Sequence, residues 1–195
     1  MITLFLIRHA PTLWNQERRL QGHADIPLCK EGKEEAAKWK FNHKYTNLWS
    51  SPLKRAVETS EIVFGIKPTI EHSLIEMNWG NWEGSTLEKL RSRYGDKMKE
   101  EEKLGINMKP DGGESPREVQ ERLKNWYSKI VNFNESHIAI THKGVIRAMI
   151  ALATDWDMIS KPPVKLDLGF AYKFQISDKN KIFFLERLSL KQANE

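Results

Sequence analysis

The sequence contains one cysteine, Cys29, and no apolar run that approaches the length needed to cross a membrane. A single thiol cannot form an intramolecular disulfide, which excludes a disulfide-stabilised scaffold. The apolar residues at the beginning of the chain are too few for a signal peptide, and no basic segment precedes them. We therefore expect a cytoplasmic protein that does not associate with membranes.

The sequence also lacks the features of a nucleic-acid-binding protein. Lys and Arg outnumber Asp and Glu by 31 to 26, a net charge of +5, but these charges are interspersed and form no basic block. No recognition fold and no alternation of basic and aromatic residues is evident. The positive balance favours an anionic partner, which we expect to be a small molecule and not a nucleic acid.

Several common kinds of phosphate and metal chemistry are missing as well. No GxxxxGK[ST] loop is present. No arginine lies six residues after Cys29, where a cysteine-phosphatase loop would require one. The only local pair of potential metal ligands is His23 with Asp25, and no further cluster accompanies it. We expect this pair to brace a loop, and we predict no metal site.

Short apolar segments alternate with helical patterns along the 195 residues. The predicted strands cover residues 2–7, 47–50, 67–70, 137–141, 170–176 and 182–188. Helices are predicted over residues 30–45, 86–104 and 145–153. Two further helices are predicted to begin at Ser51-Pro52 and at Ser115-Pro116. This order predicts a three-layer α/β/α fold with a mostly parallel, about six-stranded central sheet. We expect a single domain over residues 1–195, with a helical lid insertion at about 65–116.

Charged and imidazole side chains follow three of these strands. Arg8 and His9 end the first strand, which Pro11 prevents from continuing. Arg55 lies just after the second strand, and His142 just after the fourth. Ligands of parallel sheets bind outside the carboxyl ends of the strands. The rigid donor forks of two arginines there, with helix N-termini after Ser51 and Thr141, predict a phosphate pocket.

An imidazole within a phosphate pocket is the natural nucleophile for covalent phosphoryl transfer. His9 would need one unprotonated nitrogen and an acceptor that holds the other. Arg8, Arg55 and a protonated His142 would neutralise charge on the phosphoryl group. The leaving oxygen needs a proton donor, and the carboxyl groups of Glu76 and Glu83 are the two candidates in the aromatic loop LIEMNWGNWEG.

The motifs resemble those of the histidine phosphatase (phosphoglycerate mutase-like) superfamily. They occur in the expected order from Leu6 to Ala148, as LIRHAPTLWN, LQGHADIPL, SSPLKRAVET, LIEMNWGNWEG, GGES and ITHKGVIRA. Two positions depart from the usual pattern, because Ala10 and Lys143 stand where glycine is common. Alanine fits a backbone with negative φ. Lys143 could add a cation beside the phosphate or point to solvent.

The resemblance implies specific roles for several residues. His9 would be transiently phosphorylated, and Glu76 would donate the proton to the leaving group. Core phosphate contacts would come from Arg8, Arg55 and His142. Additional substrate contacts would come from Asn15, Gln21, Gly22 and, in one of its two interpretations, Lys143. The resemblance also implies a mixed six-stranded sheet with the lid over the site, and no metal or organic cofactor.

These observations predict a metal-independent phosphatase that hydrolyses a small phosphorylated metabolite through phosphohistidine. A bisphosphoglycerate-dependent phosphoglycerate mutase and a catalytically silent phosphate-binding scaffold are the alternatives. We expect Trp79 and Trp82 to serve lid packing and not substrate stacking. The sequence leaves the substrate open among sugar phosphates, phosphoglycerates and a cobamide precursor such as α-ribazole phosphate, and it leaves the oligomeric state open.

Overall fold

The computed structural model describes residues 1–131 and 135–191, and a six-stranded mixed sheet forms its centre. The strands are β1 (Ile2–Arg8), β2 (Asn47–Ser50), β3 (Thr69–Ile70), β4 (Ser136–Thr141), β5 (Phe170–Ile176) and β6 (Ile182–Ser189). Their spatial order is β3-β2-β4-β1-β5-β6. The first four strands of that order are mutually parallel, whereas β5 pairs antiparallel with both β1 and β6. The predicted α/β class and the mostly parallel sheet are confirmed.

Helices cover both faces of the sheet because β1 is apolar on both of its sides. Leu4 and Leu6 are buried in one cluster, together with side chains of helices α6 (Pro116–Ile130) and α7 (Lys143–Thr154). Phe5 and Ile7 are buried in a second cluster, with side chains of α2 (Lys30–Ala36) and α3 (Lys54–Phe64). Successive side chains of a strand point to opposite faces. The near-continuous apolar run of β1 therefore produces the three layers.

The chain between β3 and α6, which we call the lid segment (residues 71–115), has a small core of its own. It contains α4 (Leu87–Tyr94), α5 (Asp96–Lys103) and three short 3₁₀ turns. Trp82, Leu90 and Met98 are buried together there. The remaining short helix, α1 (Leu13–Gln16), follows β1 directly.

Three predicted helix boundaries were wrong. The helix predicted over 30–45 ends at Ala36, because the backbone N–H of Lys40 donates to the carbonyl of Leu190 beyond β6. The helix predicted over 86–104 divides at Gly95, whose φ is +53°. The helix predicted from Ser51 begins only at Lys54. By contrast, the capping box predicted at Ser115 is present.

Among the described residues, the structure contains no helix with the length and apolar character required to cross a membrane.

Candidate active site

The parallel strands bring the predicted residues to one edge of the sheet. Arg8, the last residue of β1, is in register with Thr141 of β4. The backbone N–H of His9 donates to the carbonyl of Thr141 over 2.9 Å. The rings of His9 and His142 lie 5.1 Å apart between centroids. Residues separated by more than 130 positions therefore meet where the strands end.

His9 has the tautomer that a nucleophile requires. Its ring is 3% exposed, and Nδ1 lies 2.7 Å from the carbonyl oxygen of Ala10. A carbonyl only accepts, so we assign the proton to Nδ1 and the lone pair to Nε2. Burial, followed by the positive charges of Arg8 and Arg55, lowers the pKa of His9 well below its usual value. The imidazole is therefore neutral at neutral pH.

The alanine that follows His9 is accommodated without backbone strain. Ala10 is fully buried and lies outside the left-handed region of φ. Its N–H donates to Oγ1 of Thr59 over 2.9 Å.

Arg55 and His142 lie beneath the site and do not line its cavity. The guanidinium of Arg55 is fully buried and donates to the carbonyls of Gly22 and Ala24, each over 2.8 Å. Its Nε is 3.3 Å from Nδ1 of His142, and Nε2 of that ring is 2.7 Å from Oγ of Ser51.

These two contacts give His142 a neutral ring, with Nδ1 accepting from the arginine and Nε2–H donating to the serine. Burial and the charge of Arg55 lower the pKa of His142 well below its usual value. Protonation of His142, which the sequence argument gave only as a condition for neutralising phosphoryl charge, therefore does not agree with its surroundings.

Glu76 and Glu83, which the sequence left as alternatives, occupy different environments. Glu76 lines the cavity, is 6% exposed, and accepts from the backbone N–H groups of Met77 (2.8 Å) and Gly144 (3.2 Å). Burial outweighs these donors and raises the pKa of Glu76, so its carboxyl retains a proton to higher pH. Glu83 instead accepts from the N–H groups of Gly22 and Ala24 and braces their loop. The environment of Glu76 suits a proton donor.

Other predicted contacts line the same cavity, which has a volume of about 700 Å³. Nε of Arg8 is buried and has no protein partner among the described residues. Oδ1 of Asn15 is occupied by the N–H of Thr12. Oε1 of Gln21 is likewise buried and has no partner in the part of the chain that the structure describes. Lys143 lies on the cavity wall, and desolvation lowers its pKa. Gly22, in contrast, contributes its backbone to the bracing of the loop.

Comparison with known proteins decides the family. A family model described as the histidine phosphatase superfamily (branch 1) matches residues 4–185. The chain belongs to this superfamily. The resemblance seen in the sequence is thereby confirmed, and membership places the chain among phosphatase-type enzymes, a group that includes phosphoglycerate mutases.

Individual relatives of this superfamily member are distant. Phosphoserine phosphatase 1 of Hydrogenobacter thermophilus is 29% identical in an alignment covering 76% of this chain and 74% of that protein. A 2,3-bisphosphoglycerate-dependent phosphoglycerate mutase of Gloeobacter violaceus is 27% identical, covering 77% and 74%. A probable 2-carboxy-D-arabinitol-1-phosphatase of Arabidopsis thaliana is 26% identical, and the match spans only 32% of its length.

A solved structure supports the same conclusion over nearly the whole chain. The crystal structure of TTHB049 from Thermus thermophilus superposes with a TM-score of 0.74 at 30% identity, covering 97% of this chain and 99% of that one. The histidine phosphatase fold is therefore shared over the sheet, the helices and the lid segment together.

The sequence argument did not single out Arg147, a cation of the cavity wall. Arg147 lies one helical turn after Lys143 on α7 and lines the cavity. Its guanidinium is 4.9 Å from the ring centroid of Trp156, and it forms no ion pair within the described part of the chain. The spacing of four residues from Lys143 was a signal that could have placed it on the same helical face.

The two tryptophans of the lid segment, which the sequence predicted to serve lid packing, contact each other at the cavity wall. Trp79 and Trp82 stack on each other with centroids 6.4 Å apart, and both line the cavity.

The predicted bracing role of His23 and Asp25 agrees with their contacts. Nε2 of His23 is 3.0 Å from the carbonyl oxygen of Glu76, and Asp25 accepts from the N–H of Lys54. Within residues 1–131 and 135–191, no group of three or more His, Cys, Asp or Glu side chains could hold a metal ion.

Proposed function

We propose that this protein is a phosphatase that hydrolyses a small phosphorylated metabolite through a phosphohistidine on His9. The observation that carries the proposal is the hydrogen bond from Nδ1 of His9 to the carbonyl of Ala10. It leaves a lone pair on Nε2 of a neutral ring that lines the cavity. Nε of Arg8, which has no protein partner among the described residues, and the carboxyl of Glu76, whose pKa burial raises, line the same cavity.

The reaction would proceed in two balanced steps. Nε2 of His9 attacks phosphorus, the bond between phosphorus and the ester oxygen breaks, and Glu76 gives its proton to the departing alkoxide. Water then attacks the phosphohistidine while the Glu76 carboxylate takes its proton. Phosphate leaves, and Nε2 regains its lone pair. Arg8 would neutralise the charge on the phosphoryl oxygens in both steps.

Buried Arg55 and neutral His142 support this chemistry from below the cavity. Arg55 fixes the loop of Gly22 and Ala24 through their carbonyls, and it orients the His142 ring. The positive charge of Arg55 also helps to keep His9 unprotonated. We propose them as electrostatic and positioning groups. A cytoplasmic location is part of the proposal, because the single cysteine is not that of a protein built for an oxidising compartment.

A bisphosphoglycerate-dependent mutase is the second candidate. Lys143 and Arg147 provide cations beyond Arg8 that could hold a second acidic group, and a mutase is among the relatives. A mutase must also keep water from its phosphorylated histidine until the intermediate reorients.

The first test is hydrolysis of 4-nitrophenyl phosphate by the purified protein in excess chelator. We expect chelator-resistant turnover in the wild type and none in folded His9→Ala. His72→Ala, which alters an exposed histidine of the lid segment, should retain wild-type turnover. Turnover by folded His9→Ala comparable to wild type would exclude the phosphohistidine route. Isomerisation of 3-phosphoglycerate after priming with the bisphosphate, without net hydrolysis, would instead identify a mutase.

A further inference from the structure

Much of the cavity wall is formed by apolar, flexible side chains that the catalytic proposal does not use. Four of the six methionines in the sequence, Met77, Met98, Met108 and Met158, line this one cavity. The unbranched, polarisable thioether of methionine adapts its shape to what lies against it and contacts aromatic rings favourably. A wall of this composition suits an organic group better than bulk water.

The mouth of the cavity exposes further apolar surface. Leu87 of the lid segment is 40% exposed, and Ile159 of the loop between α7 and β5 is 58% exposed, and both line the cavity. Apolar surface gains free energy when it is removed from water. A ligand that extends from the phosphate to this rim would therefore cover surface that the folded protein leaves exposed.

The charged side chains near this wall neutralise each other. Arg91 and Glu102 both line the cavity and form an ion pair of 2.8 Å. The Arg91–Glu102 pair therefore presents no net charge to a ligand, whereas four other cavity-lining cations have no ion pair within residues 1–131 and 135–191, namely Arg8, Arg18, Lys143 and Arg147.

Met158 is held at the cavity in a backbone conformation that side chains rarely adopt. Its φ is +63°, in the left-handed region that favours glycine. The carboxylate of Asp157 accepts from the N–H groups of Ile159 (2.9 Å) and Ser160 (3.0 Å). The carbonyl of Asp157 accepts from the N–H of Ile106 in the lid segment over 3.0 Å. These hydrogen bonds hold the loop in this one conformation. Backbone strain that surrounding contacts maintain in this way is typical of functional positions.

We propose that the cavity accepts phosphomonoesters whose alcohol carries a large apolar ring, and that Met158 is a specificity-determining residue for this ring. The proposal rests on the phosphatase reaction proposed above. The phosphate would lie at His9 and Arg8, and the ring would pack against the methionine and tryptophan wall.

A kinetic comparison tests the specificity. 1-Naphthyl phosphate and phenyl phosphate both release aryl alcohols, so their ratio of kcat/KM reports the fit of the ring more than the chemistry. We expect naphthyl phosphate to be preferred about tenfold, chiefly through KM, as burial of one additional ring would give.

Met158→Gly and Ile66→Ser form a matched pair of variants for this comparison. Met158→Gly removes the thioether and relieves the positive φ, so we expect the naphthyl preference to fall to about twofold while the melting temperature does not decrease. Ile66→Ser alters an exposed apolar residue outside the cavity and should leave the preference unchanged. A preference that survives in Met158→Gly would overturn the role of Met158.

A binding measurement separates this proposal from the phosphatase reaction. Quenching of tryptophan fluorescence, with Trp79 and Trp82 on the cavity wall, can report binding of naphthylmethylphosphonate and of methylphosphonate to His9→Ala. Tighter binding of the naphthyl compound, by about tenfold, is expected. Equal affinities would overturn the apolar site even if the enzyme hydrolyses phosphate esters. A naphthyl preference in binding, without turnover of any ester, would support the apolar site and refute the phosphatase reaction.

Discussion

Replacement of Glu76 with glutamine removes the proposed proton donor while preserving the shape of the side chain. The carboxyl group accepts two backbone N–H groups, one on each oxygen, from Met77 and Gly144. Glutamine retains only one acceptor oxygen, so one buried N–H loses its partner. We expect the free energy of unfolding to fall by about 1–3 kcal/mol, the cost of such an unsatisfied group.

The effect on catalysis should depend on the leaving group. General acid catalysis contributes about 10²–10⁴-fold, and burial raises the pKa of Glu76, so its carboxyl keeps a proton to higher pH than an exposed glutamate does. For an alkyl phosphate, whose alkoxide needs a proton, kcat/KM should therefore fall at least about 100-fold in Glu76→Gln. For 4-nitrophenyl phosphate the loss should be less than about tenfold, because nitrophenolate leaves without a proton.

The assay is the ratio of kcat/KM for these two esters as a function of pH, with each value corrected for the titration of that ester's own phosphate. In the wild type the ratio of alkyl to nitrophenyl ester should fall as pH rises through the raised pKa of Glu76, because the acid loses its proton. In Glu76→Gln the ratio should be low and independent of pH. Glu83→Gln is the control, since Glu83 lies off the cavity wall and one of its oxygens accepts both backbone N–H groups, which the amide oxygen of glutamine can continue to do. Equal slowing of both esters in Glu76→Gln would refute the reasoning.

Other substitutions probe separate parts of the site. In Gly144→Ala the added Cβ would lie 2.4 Å from Oε1 of Glu76 and would displace that carboxyl. We therefore expect turnover of the alkyl ester to fall at least about tenfold. Thermal unfolding should change little, because alanine stabilises the helix by up to about 1 kcal/mol. Wild-type turnover would show that the glycine is not needed. In Arg147→Met the new side chain can still pack on Trp156, but the cavity loses a cation. The KM for the phosphate ester should therefore rise several-fold more than in Lys124→Met, the control at an exposed residue. His142 has a folded-state pKa well below 6.5, so the unfolded chain binds more protons and stability decreases as pH falls below 6.5. In urea titrations at several pH values, His142→Gln should reduce the slope of the unfolding free energy against pH by about 1.4 kcal/mol per pH unit. An unchanged slope would contradict the assignment of a neutral His142.

The fold was predictable from the sequence where local patterns dominate. The apolar run of β1 ends at Arg8, His9 and Pro11, and the capping box at Ser115 begins α6 as predicted. The predictions failed where partners distant in the chain decide. Trp39 and Lys40 leave the helical pattern because they pair with residues at the end of β6. No periodicity within residues 30–45 contains that information.

The choice between Glu76 and Glu83 shows the same limit within the site. Both carboxyl groups belong to one short loop, and their sequence environments are alike. Only the packing of α7 places Gly144 against Glu76, and only the fold of the first loop places Gly22 and Ala24 against Glu83. Burial then raises the pKa of Glu76 and makes it the better candidate for the acid.

The sequence by itself determined the family, the alternation of strands and helices, and the types of reactive residue at the strand ends. These features are encoded locally, in runs of a few residues and in their order along the chain. Only the tertiary structure decided the tautomer of His9, the neutral state of His142 and the inward direction of Arg55. It alone also assembled Arg147, Met158 and the methionines of the lid segment around one cavity. These properties depend on contacts between residues far apart in the chain, whose distances and burial exist only after the sheet, α7 and the lid segment have packed together.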